Sequence, residues 1–142
     1  YLDACCLNRL TDDQSQSRVA GEAEAVERIL RLLRDGEIEW LSSTVLKAET
    51  SNNPDAERRY EVEVLLSLAT DTITLDSQII RRATELEAAG CGAFDALHLS
   101  SAEAGVADVL LTTDDRFVGR ARRGLGSPRV RVLNPVGWLR ER

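Results

Sequence analysis

Short apolar runs alternate along the chain with segments in which apolar residues recur every three or four positions. The first pattern is typical of buried strands and the second of amphipathic helices. The predicted strands are Tyr1–Leu7, Ile38–Leu41, Thr72–Leu75, a strand from Val109 that ends in the acid Asp114, and Val130–Leu133. The predicted helices are Glu22–Arg34, a helix capped by Ser42-Ser43-Thr44, Pro54–Ala69, Gln78–Ala89, a helix headed by Asp95, Asp114–Arg123 and a short helix from Asn134-Pro135.

This alternation of strands and helices predicts an α/β fold. Parallel strands joined by helices form a sheet that is covered on both faces. We therefore expect a three-layer α/β/α sandwich with a central parallel sheet of about four to five strands. The length of 142 residues favours one domain, residues 1–142.

The composition changes this picture little but excludes several classes of protein. Apolar residues make up 43% and charged residues 30% of the chain, as in soluble globular proteins. No apolar run approaches the roughly 18–20 residues of a membrane span, so no membrane partner is expected. With no visible signal peptide and an odd number of cysteines, 3, we expect reduced thiols and a cytoplasmic location. A single His and no C-x-x-C pair argue against a zinc site.

The net charge of −6 opposes binding to phosphate backbones by bulk charge. Basic residues nevertheless cluster near the end of the chain, where they can be a solvated surface or a local phosphate contact. Arg116 and Arg120 are spaced i, i+4 and so share one face of the predicted helix. The cluster consists of Arg116, Arg120, Arg122, Arg123, Arg129 and Arg131.

Carboxylates recur where predicted strands give way to helices. Asp3, Asp95 and Asp114 occupy such junctions, and ligands gather beyond the carboxyl ends of parallel strands. Glu49 follows Val45 by four residues and so shares its helix face, which is partly buried. Glu49 can therefore be a ligand, and the alternative is an ordinary surface glutamate. Asp3 can alternatively be a simple cap. Acids that converge in this way suit an oxygen-preferring cation such as Mg²⁺ or Mn²⁺.

Together these motifs resemble the PIN domain family. The resemblance is carried by Leu2-Asp3, by Glu49 after a Ser-Thr helix start, by Asp95-Ala96-Leu97-His98, by Thr112-Thr113-Asp114-Asp115-Arg116-Phe117 and by Asn134-Pro135. It covers essentially the whole chain. The match looks closest to the small single-domain forms that serve as ribonuclease toxins of VapBC toxin–antitoxin pairs.

The resemblance implies a metal-dependent endoribonuclease that uses Mg²⁺ or Mn²⁺. The family's acidic quartet falls on Asp3, Glu49, Asp95 and Asp114, which are the expected catalytic and metal-binding residues. Its strand-end hydroxyl falls on Thr112. The chain departs from the pattern after the first acid, where Ala4 and Cys5 stand in place of polar residues, a role that Asn8 could take over. Asp115 is the alternative to Asp114 as the fourth ligand.

The resemblance also implies partners, namely an RNA substrate, an antitoxin protein and a second copy of the chain in a homodimer. Arg116 and Arg120 are the candidate RNA contacts. His98, one turn after Asp95, is expected to be a packed or supporting residue rather than a catalytic one. The cysteines are expected to be small core residues rather than nucleophiles.

Two other classes of function stay open at this point. A receiver-like signalling domain also uses acids at strand ends with Mg²⁺, but it needs a lysine on a late strand. The only lysine, Lys47, lies in a predicted helix. A non-catalytic acidic metal-binding or protein-interaction module of the same fold is the remaining alternative.

Overall fold

A computed structural model describes all residues, Tyr1–Arg142, and contains eight helices and four short strands. The helices are α1 (Ala4–Asn8), α2 (Ser17–Arg34), α3 (Thr44–Ser51), α4 (Ala56–Leu66), α5 (Ser77–Ala88), α6 (Ala93–Ala104), α7 (Asp115–Arg122) and α8 (Pro135–Glu141). The strands are β1 (Leu41–Ser43), β2 (Asp71–Ile73), β3 (Val109–Leu111) and β4 (Arg131–Leu133). The predicted alternation of strands and helices is confirmed.

The strands pair in parallel, as expected for an α/β chain. β1 pairs with β2, and β3 pairs with β4, so that two two-stranded sheets form. Leu2 makes an isolated parallel bridge to Leu111. The Leu111 amide donates to the Tyr1 carbonyl at 2.8 Å, and the Asp3 amide donates to the Leu111 carbonyl at 3.1 Å. The start of the chain therefore lies along β3, and Asp3 leaves it at the carboxyl end.

The predicted strand Tyr1–Leu7 is wrong beyond its first residues. The helix α1 begins at Ala4, because the Asp3 side chain accepts a hydrogen bond from the Cys6 amide and so caps the first turn. A short apolar run does not by itself distinguish a buried strand from a buried helix. Cys5 and Cys6 consequently occupy successive helical positions instead of opposite faces of a sheet.

The other elements differ from prediction mainly at their ends. The strand predicted at Ile38–Leu41 instead begins at Leu41. The helix predicted from Glu22 begins at Ser17, and the helix predicted at Pro54–Ala69 is shorter because the Asp55 side chain caps it by accepting from the amides of its first turn. Helix ends are set by such local hydrogen bonds, which apolar spacing does not record.

Strand β3 separates two hydrophobic cores. Leu111 belongs to a core formed with α1, α2, α3 and α4, which includes Leu7 and Leu46. Leu110 belongs to a second core with α5, α6 and α7, which includes Leu99 and Phe117. Successive side chains of a strand point to opposite faces, so β3 is buried on both sides. None of the helices has the length and apolar composition needed to cross a membrane.

Candidate functional site

Asp3 is a carboxylate buried within the fold at the end of the first bridge to β3. It is only 2% exposed. Burial raises the pKa of Asp3, whereas hydrogen bonds from the Thr112 side chain and the Cys6 amide and the charge of His98 act in the opposite direction. The predicted supporting hydroxyl, Thr112, thus lies against the first predicted acid. An ionised Asp3 is costly here unless positive charge reaches it.

Asp95 lies in the first turn of α6, and its carboxylate is 23% exposed. Burial, followed by the negative charges of Asp114 and Asp3, raises the pKa of Asp95 to about 6. His98 and Arg120 oppose that rise, and an Arg120 nitrogen lies 3.9 Å from the Asp95 carboxylate. The negative charges of two other predicted acids therefore contribute to the raised pKa of Asp95.

Asp114 and its neighbour Asp115 have different surroundings. Asp114 caps α7, where its Oδ1 accepts from the Arg116 amide at 2.8 Å, and its own amide donates to the Thr112 hydroxyl at 3.1 Å. The Asp115 side chain is 70% exposed and is bound by Arg18, which lowers the pKa of Asp115. The charge that acts on Asp95 is that of Asp114, so the two adjacent acids point to different environments.

Glu49 on α3 is held by a chain of buried polar side chains. His98 is 2% exposed, and its Nε2 contacts the Glu49 carboxylate while its Nδ1 lies 2.6 Å from the Tyr1 hydroxyl. That hydroxyl also lies 2.6 Å from the hydroxyl of Ser43, which caps α3 by accepting from the Leu46 amide. His98 is thus a buried supporting residue, as expected, and it orients an acid.

The direction of these hydrogen bonds follows from counting donors. A carboxylate only accepts, so His98 must donate to Glu49 through Nε2–H. In a neutral imidazole Nδ1 then accepts from the Tyr1 hydroxyl, whose oxygen is left to accept from Ser43. Each polar side-chain group of this hydrogen-bonded network, from Glu49 to Ser43, has a partner. Complete pairing of this kind holds a buried network in one arrangement.

The charges of all four predicted acids affect the pKa of one thiol, that of Cys5. Burial raises the pKa of Cys5, and the charges of Asp3, Glu49, Asp114 and Asp95 raise it further. Burial likewise raises the pKa values of Cys6 and Cys91. Thiols that hold their protons this firmly are poor nucleophiles. Cys6 and Cys91 are core residues, as expected, whereas Cys5 is only partly buried and lies in neither core.

The acids nevertheless do not form a closed coordination group. No set of three or more His, Cys, Asp or Glu side chains is close enough together to hold a metal ion. The donors fit Mg²⁺ or Mn²⁺ in type, since all four are carboxylates, and their mutual repulsion would be relieved by a cation. The set therefore fits such an ion chemically, and its convergence to ligand distance stays a prediction.

Two of the other predicted residues, Asn8 and Arg116, make no side-chain contact with the predicted acids. The Asn8 carbonyl accepts from Arg58, and its side chain has no hydrogen bond to the acids. Arg116 is exposed on α7, close to Asp114. The sequence interpretation did not single out Tyr1, Arg18 or Glu22. Glu22 did carry a signal, because it precedes the buried Val26 and Ile29 by four and seven positions and so shares their helix face.

Burial and repulsion at Asp95 predict how stability depends on pH without divalent metal. The folded-state pKa of about 6 exceeds the ordinary value of 3.8, so the folded state binds the proton more tightly. Stability should therefore fall as pH rises between these two values, by on the order of 2–3 kcal/mol. Asp95→Asn should reduce this loss, as measured by urea unfolding from pH 4 to 7 in chelator.

Asp115→Asn is the control for that experiment, because Arg18 lowers the pKa of Asp115. An acid of this kind adds stability above its unfolded pKa and loses it as pH falls. Its removal should flatten the acid side of the profile, whereas the decline toward pH 6 should persist, because burial is the largest cause of the raised pKa of Asp95. Equal declines in wild type and Asp95→Asn would contradict the assignment of a repelled carboxylate to Asp95.

The hydrogen-bond chain predicts one tautomer for His98. At neutral imidazole charge, Nε2 should carry the proton and Nδ1 should be bare. Because the chain contains 1 His, the ¹⁵N–¹H correlation spectrum of its imidazole needs no assignment by mutation. Tyr1→Phe should shift the Nδ1 resonance by removing its donor. Detection of the Nδ1–H tautomer of the neutral imidazole would show that these hydrogen bonds have the opposite direction.

Comparison with known proteins identifies the family of the chain. The family model described as "PIN domain" matches residues 1–122. No curated protein and no solved structure matches the chain. The matched residues include the four predicted acids, together with Thr112 and His98. The chain therefore belongs to the PIN domain family, whose members are generally nucleases.

Proposed function

We propose that this protein is a metal-dependent endoribonuclease that serves as the toxin of a toxin–antitoxin pair. The observation that carries the proposal is the match of the PIN domain model to residues 1–122, which contain all four predicted acids. The charges of these four acids also raise the pKa of Cys5. Acids gathered at the carboxyl ends of parallel strands are typical of an α/β active site. Asp3, Glu49, Asp95 and Asp114 are the proposed catalytic and metal-binding residues.

The chemistry proposed for this site is hydrolysis of a phosphodiester. Water adds to phosphorus while one ester P–O bond breaks. Bound Mg²⁺ or Mn²⁺ would neutralise the carboxylates and supply Lewis acidity to this reaction. The role of the protein is to hold the donors in place: Asp3 and Asp114 are fixed as helix caps, and His98 orients Glu49. Thr112 supports the site through its contacts with Asp3 and the Asp114 amide.

The fold side of the proposal is one central sheet in three layers. Leu2 bridges one edge of β3 while β4 occupies the other, and the Tyr1 hydroxyl reaches Ser43 at the end of β1. These contacts support the order β2, β1, the Leu2 segment, β3 and β4. Two separate cores on either side of β3 support covering layers on both faces.

The proposed partners are RNA, an antitoxin and a second copy of the chain, in the cytoplasm. Exposed apolar side chains on α4 and in the turn that follows it support protein partners: Tyr60 is 66%, Val64 49% and Leu68 45% exposed. Tyr60 and Val64 lie on the face of α4 opposite to the buried Val62 and Leu66, and Leu68 follows in the turn after the helix. Light scattering at high concentration should give the mass of a dimer, and a monomer there would remove this part of the proposal.

A nuclease assay tests the central claim. Wild-type protein should cleave single-stranded or structured RNA in Mg²⁺ or Mn²⁺ and lose this activity in chelator. Asp95→Asn should lower the rate by at least about 100-fold, because one of the converging carboxylates is lost. Glu27→Gln, at an acid that is 58% exposed on α2, is the matched control and should keep wild-type activity. Full activity of Asp95→Asn would favour the non-catalytic alternative.

A binding experiment tests the RNA contacts. Arg120 is within reach of the acidic site, and Arg116 stands one turn away on the same helix face. In an Asp95→Asn background with Mg²⁺, Arg116→Ala with Arg120→Ala should weaken RNA binding. The double change should also flatten the dependence of log K on log salt by about one unit per lost phosphate contact. Arg31→Ala on α2 is the control, and an unchanged affinity and slope would reduce the basic cluster to a solvated surface.

A further inference from the structure

Glu22 is a second buried carboxylate, and it lies outside the acidic site. It is 3% exposed and accepts three side-chain hydrogen bonds. Arg9 Nε donates at 2.7 Å to one oxygen, and Arg18 Nε at 3.2 Å and Asn134 Nδ2 at 2.8 Å donate to the other. Because both oxygens are satisfied and two guanidinium groups neutralise the charge, the burial of Glu22 is compensated.

Arg18 connects this buried acid to the segment that contains Asp114. Its Nε is used by Glu22, while its two terminal nitrogens bind Asp115 as a fork, at 2.8 and 2.9 Å. One of them also donates to the Thr113 carbonyl at 3.3 Å. A single planar group is thereby attached to the residues on both sides of Asp114.

We propose that Arg18 is a positioning residue for Asp114 and that Glu22 fixes the Arg18 guanidinium by accepting from its Nε. This inference rests on the proposed nuclease function and gives Asp115 the role of an anchor. The Arg18 side chain is 53% and that of Asp115 70% exposed, so the pair adds little to global stability. A bidentate pair does fix relative orientation, and the rate of a reaction is sensitive to displacements of about 1 Å in its catalytic groups.

The competing account is that Arg18 only neutralises Glu22. Arg9 already makes the shorter bond to Glu22, at 2.7 Å. The two accounts differ in what a lysine can do. A lysine at position 18 restores the charge at i, i+4 from Glu22, but it lacks the planar fork needed to hold Asp115 and Thr113 at the same time.

The experiment measures kcat and KM for cleavage of a short RNA in Mn²⁺ by Arg18→Gln, Arg18→Lys and Asp115→Asn. All three should lower kcat by about tenfold and leave KM within about twofold, since chemistry is misaligned and binding is not. Arg31→Gln is the matched control, because Arg31 makes an exposed i, i+4 pair with Glu27 on the same helix. It should retain wild-type kinetics.

A second readout does not depend on catalysis. The Arg116 amide donates to Asp114 at the first turn of α7, so loosening of this junction exposes it to solvent. Its hydrogen exchange should become about fivefold faster in the three variants and stay unchanged in Arg31→Gln. Asp115→Asn leaves the Arg18–Glu22 bond in place, and so it separates positioning from charge balance within the network.

The outcomes are distinct. Recovery of kcat in Arg18→Lys, or a wild-type kcat in Asp115→Asn, would overturn the positioning role. Unchanged exchange at Arg116 in all variants would overturn it as well. An inactive wild-type protein would instead refute the proposed function, and faster exchange in the variants would then still support attachment of the Asp114 junction by Arg18.

Discussion

The cost of burying like charges is the constraint on which the site depends. Asp3 is almost wholly enclosed, and Asp95 carries a pKa raised by burial and by its acidic neighbours. Donors already present in the fold stabilise Asp3, Asp114 and Glu49, whereas Asp95 has only Arg120, whose nitrogen lies 3.9 Å away. A bound cation would relieve the remaining repulsion between these acids. The surrounding architecture supplies these donors from helix starts, a buried histidine and the hydroxyl at the end of β3.

The same side chains that begin helices also form the site. Asp3 caps α1 and Asp114 caps α7, so the backbone amides that need acceptors also fix the two acids in place. Ser43 caps α3 while it takes part in the chain that leads through Tyr1 to His98. At these junctions, the hydrogen bonds that begin a helix therefore also fix the position of the capping side chain.

Two layers of polar contact surround the junction after β3. In the inner layer the Asp114 amide donates to the Thr112 hydroxyl and the charge of Asp114 raises the pKa of Asp95. The outer layer attaches Asp115 to Arg18 and, through it, to Glu22. Asn134, the cap of α8, joins the outer layer by donating to Glu22. The last helix is thus linked to the segment around Asp114 through a buried acid that itself belongs to the helix α2.

The sequence alone determined the order of strands and helices, the helix that carries Asp95, the acid that follows β3 and the family pattern. These features are local, because apolar period and cap residues are read within a few positions. Packing settles that the chain turns into a helix after Asp3, that Asp115 binds Arg18 while Asp114 caps α7, and that Glu22 is buried. These outcomes depend on contacts such as Arg18 with Asp115 and Glu22 with Asn134, which are 97 and 112 positions apart. The environment of a charged side chain is set by groups that packing brings to it from remote parts of the chain, and no local pattern contains them.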